Sequence, residues 1–222
     1  MKILVCISSV PDTTSKINFT ADKSAFDKNG IQWVINPYDE FALTKAVKLQ
    51  ESQGATVTIA TVGDAATEAV MRKALAIGAN DAIRVNAEPQ DSITVAKELA
   101  KIVEEGGYDL VLCGKESIDY NGAAVPAMIA QLLNRPFVNA CVGLEVNGAE
   151  ATAVREIEGG KEPLTVKIPA VIAGQKGMVE EKDLIIPNMR GIMSARTKPL
   201  TVKEATETDV KVSAVSFDAV PA

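Results

Sequence analysis

The residues best suited to bind a ligand form one run, Gly114-Lys115-Glu116-Ser117-Ile118-Asp119-Tyr120-Asn121-Gly122-Ala123-Ala124-Val125-Pro126. It leaves a buried apolar stretch, Leu110–Cys113, and enters a helical pattern carried by Val125, Met128, Ile129 and Leu132. Proline is tolerated only in a first helical turn, where its missing amide hydrogen has no partner to lose. Pro126 therefore places the helix start between about Asn121 and Val125. The first amides of a helix are unpaired and partly positive. Gly122, Ala123 and Ala124 leave them unhindered, which makes the run a candidate phosphate seat. Asp119 could hydrogen-bond a ribose hydroxyl or simply cap the turn, and an ordinary Asn-Gly helix start would carry the same residues. A second cluster is Asn36-Pro37-Tyr38. Pro37 suits the first helical position and Asn36 the N-cap. Asn36 could equally bond an adenine edge, and Tyr38 could lie against a ring.

Other chemistry is scarce. The 222 residues contain no histidine, which removes a Ser-His-Asp triad, a Cys-His dyad, His-ligated zinc and an imidazole base. The three cysteines, Cys6, Cys113 and Cys141, are far apart and form no CxxC, which argues against thiolate-bound zinc or iron–sulfur clusters. There is no GxGxxG after the first strand, no P-loop, no GxSxG and no HExxH. Acidic residues outnumber basic ones, 29 to 23, for a net charge of −6, so nucleic acid is not an expected partner. No apolar run approaches the ~18 residues that span a bilayer, so stable membrane insertion is not expected. Sparse, odd cysteines and no signal-peptide pattern suit a reducing cytoplasm. This is the inventory of a binding protein.

The elements that must position these loops alternate. Met1–Ile7 reads as a buried strand, then comes a polar small hairpin or excursion over 16–35 with Asn29-Gly30 as a tight turn. Tyr38, Ala42, Ala46 and Leu49 recur at helical spacing, followed by a β-branched strand over Ala55–Val62. Asp64 is a plausible N-cap for the helix carrying Ala66, Val70, Ala74 and Ile77. A strand at Ala82–Val85, a helix from Asp91 to Glu104, the strand at Leu110–Cys113 and the helix after it complete the series. Arg72-Lys73 is expected on a solvated face. Strand alternating with helix predicts an α/β fold, a Rossmann-like, mostly parallel sheet with helices on both faces. Ligands of such sheets sit at the carboxyl ends of strands, here the loops Ser8–Asp12, Thr61–Asp64 and Gly114–Gly122. From 141 to 174, Asn147-Gly148 and Gly159-Gly160 divide three β-rich runs, which predicts an antiparallel meander. Residues 1–177 are thus read as a nucleotide-binding domain with its meander. Residues 178–222 form an irregular C-terminal segment, a partner-docking loop and a C-terminal arm or tail. Met189, Ile192 and Met193 give that segment an adaptable apolar character.

At these residues the chain resembles the β subunit of electron transfer flavoprotein, from Met1 to roughly Lys203. The most specific piece runs from Ala153-Val154-Arg155 through Gly159-Gly160 to Pro169-Ala170-Val171-Ile172-Ala173. Val10-Pro11-Asp12-Thr13, Ile35-Asn36-Pro37, Arg72 to Ala79, Gly114 to Asp119 and Gly191-Ile192-Met193 support it. The resemblance implies an electron carrier, not an enzyme. It implies a heterodimer with a larger α subunit that holds one FAD, the β subunit adding a wall and binding its own adenine nucleotide, AMP or a second FAD. It places that nucleotide on Cys6, Asn36, Val62 and Ser117 to Val125, including Asp119, Asn121, Gly122, Ala123 and Ala124. Thr13 and Tyr38 fall on the flavin-facing rim, and Met189 on the loop that docks onto flavin-dependent dehydrogenases. Ala124 and Pro126 depart from the family pattern, which has an amide side chain and a glycine there. Relatives also extend into a C-terminal arm beyond Ala222, and a shortened arm would weaken the grip on the α subunit. A stand-alone adenine-nucleotide-binding module of universal-stress-protein type is the alternative, carried by the Gly114–Val125 loop alone.

Overall fold

The computed structural model describes residues 1–207 and 209–219; Thr208 and residues 220–222, part of the expected C-terminal arm, lie outside them. The alternation resolves into strands β1 (Lys2–Cys6), β2 (Ser9–Pro11), β3 (Trp33–Ile35), helix α1 (Pro37–Gln53), β4 (Thr56–Gly63), α2 (Glu68–Ile77), β5 (Asp81–Asn86), α3 (Ser92–Gly106), β6 (Leu110–Gly114) and α4 (Val125–Leu132). Then follow β7 (Phe137–Asn147), β8 (Glu150–Ile157), β9 (Gly160–Lys167), β10 (Ala170–Gly174), α5 (Met189–Ala195) and β11 (Leu200–Glu204).

Nine strands form one sheet in the order β11-β5-β4-β1-β6-β10-β7-β8-β9, and β2 pairs with β3 in a separate antiparallel ribbon. The core strands carry uninterrupted apolar runs because both faces are covered. Ile3, Val5 and Ile59 face a core with Leu43, Ala46, Met71 and Leu75 of α1 and α2. Leu4, Cys6 and Ala60 face the other core, with Leu99, Ile102 and Ile129 of α3 and α4. The fold class read from the sequence is therefore what the chain adopts.

The expected meander needs one correction. β7, β8 and β9 are antiparallel and extend the sheet at one edge. The third β-rich run, however, holds two strands. β10 lies between β6 and β7, parallel to both. Its residues are all buried, whereas β9 alternates between exposed and half-buried. Pro169 separates the two strands, and the continuous Ala-Val-Ile-Ala run then behaves as an interior parallel strand. The segment read as irregular also contains regular structure. β11 pairs in parallel with β5 at the far edge, and α5 packs on α2.

Candidate functional site

The site is built where the strand order reverses. From β1 the chain moves outward through β4 to β5, then returns to lay β6 on the opposite side of β1. The carboxyl ends of β1 and β6, on either side of this reversal, are where open parallel sheets bind their ligands. Cys6, Val62 and Gly114 end or nearly end β1, β4 and β6 on this edge. Cys6 and Val62 belong to the α3–α4 face. The Cys113 thiol, beside Cys6, has its pKa pushed well up by a hydrogen bond with Cys6 and by burial. All three cysteines are free and buried.

The first turn of α1 pins the β6–α4 loop. Asn36 is 1% exposed and caps α1 by position only, since its side chain makes no capping bond. The Asn36 amide is spent on the loop instead. Nδ2 donates to the Glu116 carbonyl at 2.8 Å, and Oδ1 accepts the Ile118 amide at 3.2 Å. Asp39, one turn on, accepts the Ser8 amide and the Gly114 amide, both at 2.7 Å. It thereby ties the chain after β1 to the end of β6. Gly114 must be glycine: an added Cβ would lie 2.7 Å from the Tyr38 Cβ and press into the Asp39 carboxylate. The Lys115 amide donates to the Gly174 carbonyl at 2.8 Å, and its ammonium stands 5.1 Å from the centre of the Tyr38 ring.

Beyond this clamp the loop changes hand. Asn121 and Ala123 have φ of 50° and 49°, left-handed values that L residues adopt at some cost. That conformation keeps both out of the helix, so α4 opens at Val125 with Pro126 in its first turn, at the late end of the expected range. Among the described residues no side chain caps α4. Open space surrounds the position where Gly122 would carry a Cβ. The surface on offer is thus a left-handed turn followed by an uncapped helix start. Asp119 and Asn121 to Ala123 are exposed, and Ser117, Ala124 and Val125 are half-buried. The Asp119 carboxylate accepts the Tyr120 amide at 2.9 Å, and the Asn121 amide returns to the Ser117 carbonyl at 2.8 Å.

The expected residues do not all converge. Cys6, Asn36, Val62 and the 117–125 run share the carboxyl edge, and Tyr38 stands beside it. Thr13 lies in the exposed turn after β2, where Asp12 binds Thr14, and no side-chain hydrogen bond joins it to Tyr38 among the described residues. Met189 opens α5 on a different surface, over α2. It is 74% exposed and sits with exposed Ile186, Ile192 and Met193. Arg72 holds that surface in place and is not a solvated side chain: Nη1 donates to the carbonyls of Ala195 and Lys198, both at 2.8 Å. Asp39 was not singled out from the sequence, because an acidic residue in a first helical turn is explained by the helix dipole alone. Gly114, directly after a buried strand, was the available signal of close backbone approach.

Fold and edge together define a doubly wound α/β protein, whose switch point at the carboxyl edge is where such sheets bind ligands. A family model described as "Electron transfer flavoprotein domain" matches residues 24–208. The chain is 34% identical over 214 residues to "Electron transfer flavoprotein subunit beta" of Bacillus subtilis, covering 95% of this chain and 81% of that protein. It is 35% identical to the protein of the same name from Syntrophomonas wolfei, covering 100% and 87%. For the human protein of that name the identity is 31%, covering 100% and 89%. The chain belongs to the electron transfer flavoprotein family. Among the described residues no helix is long and apolar enough to cross a membrane, and no cluster of His, Cys, Asp or Glu could hold a metal ion.

Proposed function

We propose that this chain is the β subunit of a two-subunit electron transfer flavoprotein, carrying an adenine nucleotide of its own and helping to enclose the FAD of an α subunit. The observation that carries the nucleotide half is the pinned loop: Asn36 and Asp39 fix its stem, and its tip is a left-handed turn before an uncapped helix start. A phosphate fits there, because the open space at Gly122 leaves nothing between a ligand and the backbone. Ser117, Asp119, Asn121, Gly122, Ala123, Ala124 and Val125 would hold the AMP, or the equivalent half of a second FAD, with Cys6 and Val62 as the apolar floor. Asn36 acts through the loop that it holds. Tyr38 and Thr13 would present the rim toward the α-subunit flavin.

FAD, when bound, supplies the redox chemistry, and the protein supplies position and electrostatics. This chain therefore needs no acid, base or metal of its own. Its tasks are to seat a phosphate, to keep water from the flavin and to offer Met189 and its apolar neighbours to flavin-dependent dehydrogenases that load the electrons. Co-expression with the α subunit tests this: the expected product is a yellow 1:1 complex, with AMP or FAD released from the β site and identified by mass. Two colourless chains that stay apart, or a nucleotide-binding homodimer of this chain alone, would refute the reading.

A further inference from the structure

The clamp under the loop holds a carboxyl group that takes part in none of the ion pairs found among the described residues. Asp39 is 4% exposed, and its two oxygens accept amides from behind β1 and from the end of β6, on either side of the switch point. Burial raises its pKa from 3.8 to about 7, against the lowering effect of hydrogen bonds from the two amides and from the Asn36 side chain. Several charged or titratable groups surround it. Asp119 in the loop raises the Asp39 pKa further by its negative charge. The Cys113 thiol at the end of β6, bonded to Cys6, is raised in part by Asp39. On α1, Tyr38 lies under the Lys115 ammonium, and Glu40 pairs with Lys73 of α2. Lys115 in turn pairs with Glu116.

A negative charge in the loop, at Asp119, is thus felt at the Asp39 carboxyl. A phosphate seated on amides of the same loop is another such charge, and a larger one. Like charges near a buried site disfavour joint ionisation. We propose that Asp39 is a positioning residue that couples nucleotide binding to proton uptake, its carboxyl becoming protonated as the phosphate seats. The inference rests on the loop being the phosphate seat. A protonated carboxyl keeps acceptor capacity for the amides while the repulsion disappears, so the loop can keep its shape through the change. By linkage, affinity is highest at low pH and falls as pH rises through the Asp39 titration. The second ionisation of a phosphate monoester, at about 6, acts in the opposite direction, so the two effects are separable.

The test is calorimetric titration of AMP into the full chain, co-purified with its α subunit and stripped of nucleotide. It runs from pH 6.5 to 8.5 in buffers of different ionisation enthalpy. The parent should take up a fraction of a proton on binding and lose roughly tenfold in affinity across the range, tenfold for each unit by which the phosphate raises the carboxyl pKa. Asp39→Asn should bind AMP without that uptake and with a flat profile. Binding by the parent with no proton uptake, or an unchanged profile in Asp39→Asn, overturns the coupling and leaves the phosphate seat standing. A parent that does not bind AMP removes the seat and the coupling together. Should Asp39→Asn fail to fold, the Asp39 carboxyl carbon resonance can be titrated in the parent with and without AMP. A midpoint that moves up supports the coupling, and one that stays overturns it.

Discussion

Two side chains in the first turn of α1 and just before it decide the shape of the candidate site, and both are open to measurement. For Asp39 the sign follows from its raised pKa. Its stabilising contribution is fully present below the unfolded value of 3.8 and is lost as pH rises through about 7. The slope for one group is at most about 1.4 kcal/mol per pH unit. With no histidine in the chain, few other groups titrate between pH 5 and 7. Denaturant unfolding of the parent should therefore show stability falling across that window, and Asp39→Asn should flatten the curve. A parent curve as flat as that of the variant would contradict the burial argument. Asn36 makes a different prediction. Asn36→Ala removes both bonds to Glu116 and Ile118 and leaves two polar backbone groups without partners. The expected cost is ~1–3 kcal/mol of stability. Less nucleotide should also be retained on purification, measured by absorbance after release, and undiminished occupancy would show that the loop holds its shape unaided.

At the scale of elements, α5 is a short helix that exposes Met189, Ile192 and Met193 while Ala195 and its backbone are held from below. Gly191 lets it approach α2, since a Cβ there would lie 2.5 Å from the Ala76 carbonyl oxygen. Asn188 caps its start by accepting the Gly191 amide at 2.8 Å, and Lys198 donates to the carbonyls of Leu75 and Ala79. Burial lowers the Lys198 pKa, in keeping with a role inside the structure. Met189 contributes little to this anchoring, so Met189→Ala should change stability by no more than about 0.5 kcal/mol. Electron exchange with a flavin-dependent dehydrogenase, followed by stopped flow, should slow severalfold. Equal rates for parent and variant would take Met189 out of the docking surface.

At the scale of the whole molecule, the C-terminal segment ties together parts distant in the chain. After β11, Glu98 of α3, itself buried, accepts the amides of Thr206 and Glu207 at 2.6 Å each. Asp91, the N-cap of α3, accepts those of Lys211 and Val212. The Phe217 ring then stacks on Phe19 in the excursion between β2 and β3, with centroids 5.5 Å apart. Glu98→Gln should speed hydrogen exchange at the Thr206 and Glu207 amides by an order of magnitude or more while leaving β1, β4 and β6 protected. Loss of protection throughout the sheet would show instead that Glu98 supports the core.

From its own residues the sequence determined the strand–helix alternation from β1 to α4, that the main sheet is mostly parallel, and where Pro126 confines the start of α4. These are local properties. Hydrophobic period reports which face of an element is buried, and a proline or glycine reports the backbone it permits. The residue pattern also carried the family, because the run from Ala153 to Ala173 is contiguous. Only the tertiary structure decided that Asn36 and Asp39 meet a loop 80 and 75 residues further on. It alone placed β10 inside the sheet, set β11 at its edge and turned Arg72 inward beneath α5. Each of these depends on which strands lie side by side, and neighbours across a sheet are chosen by the packing of the whole chain. No short stretch records that choice, so the polar partners it brings together cannot be read from spacing.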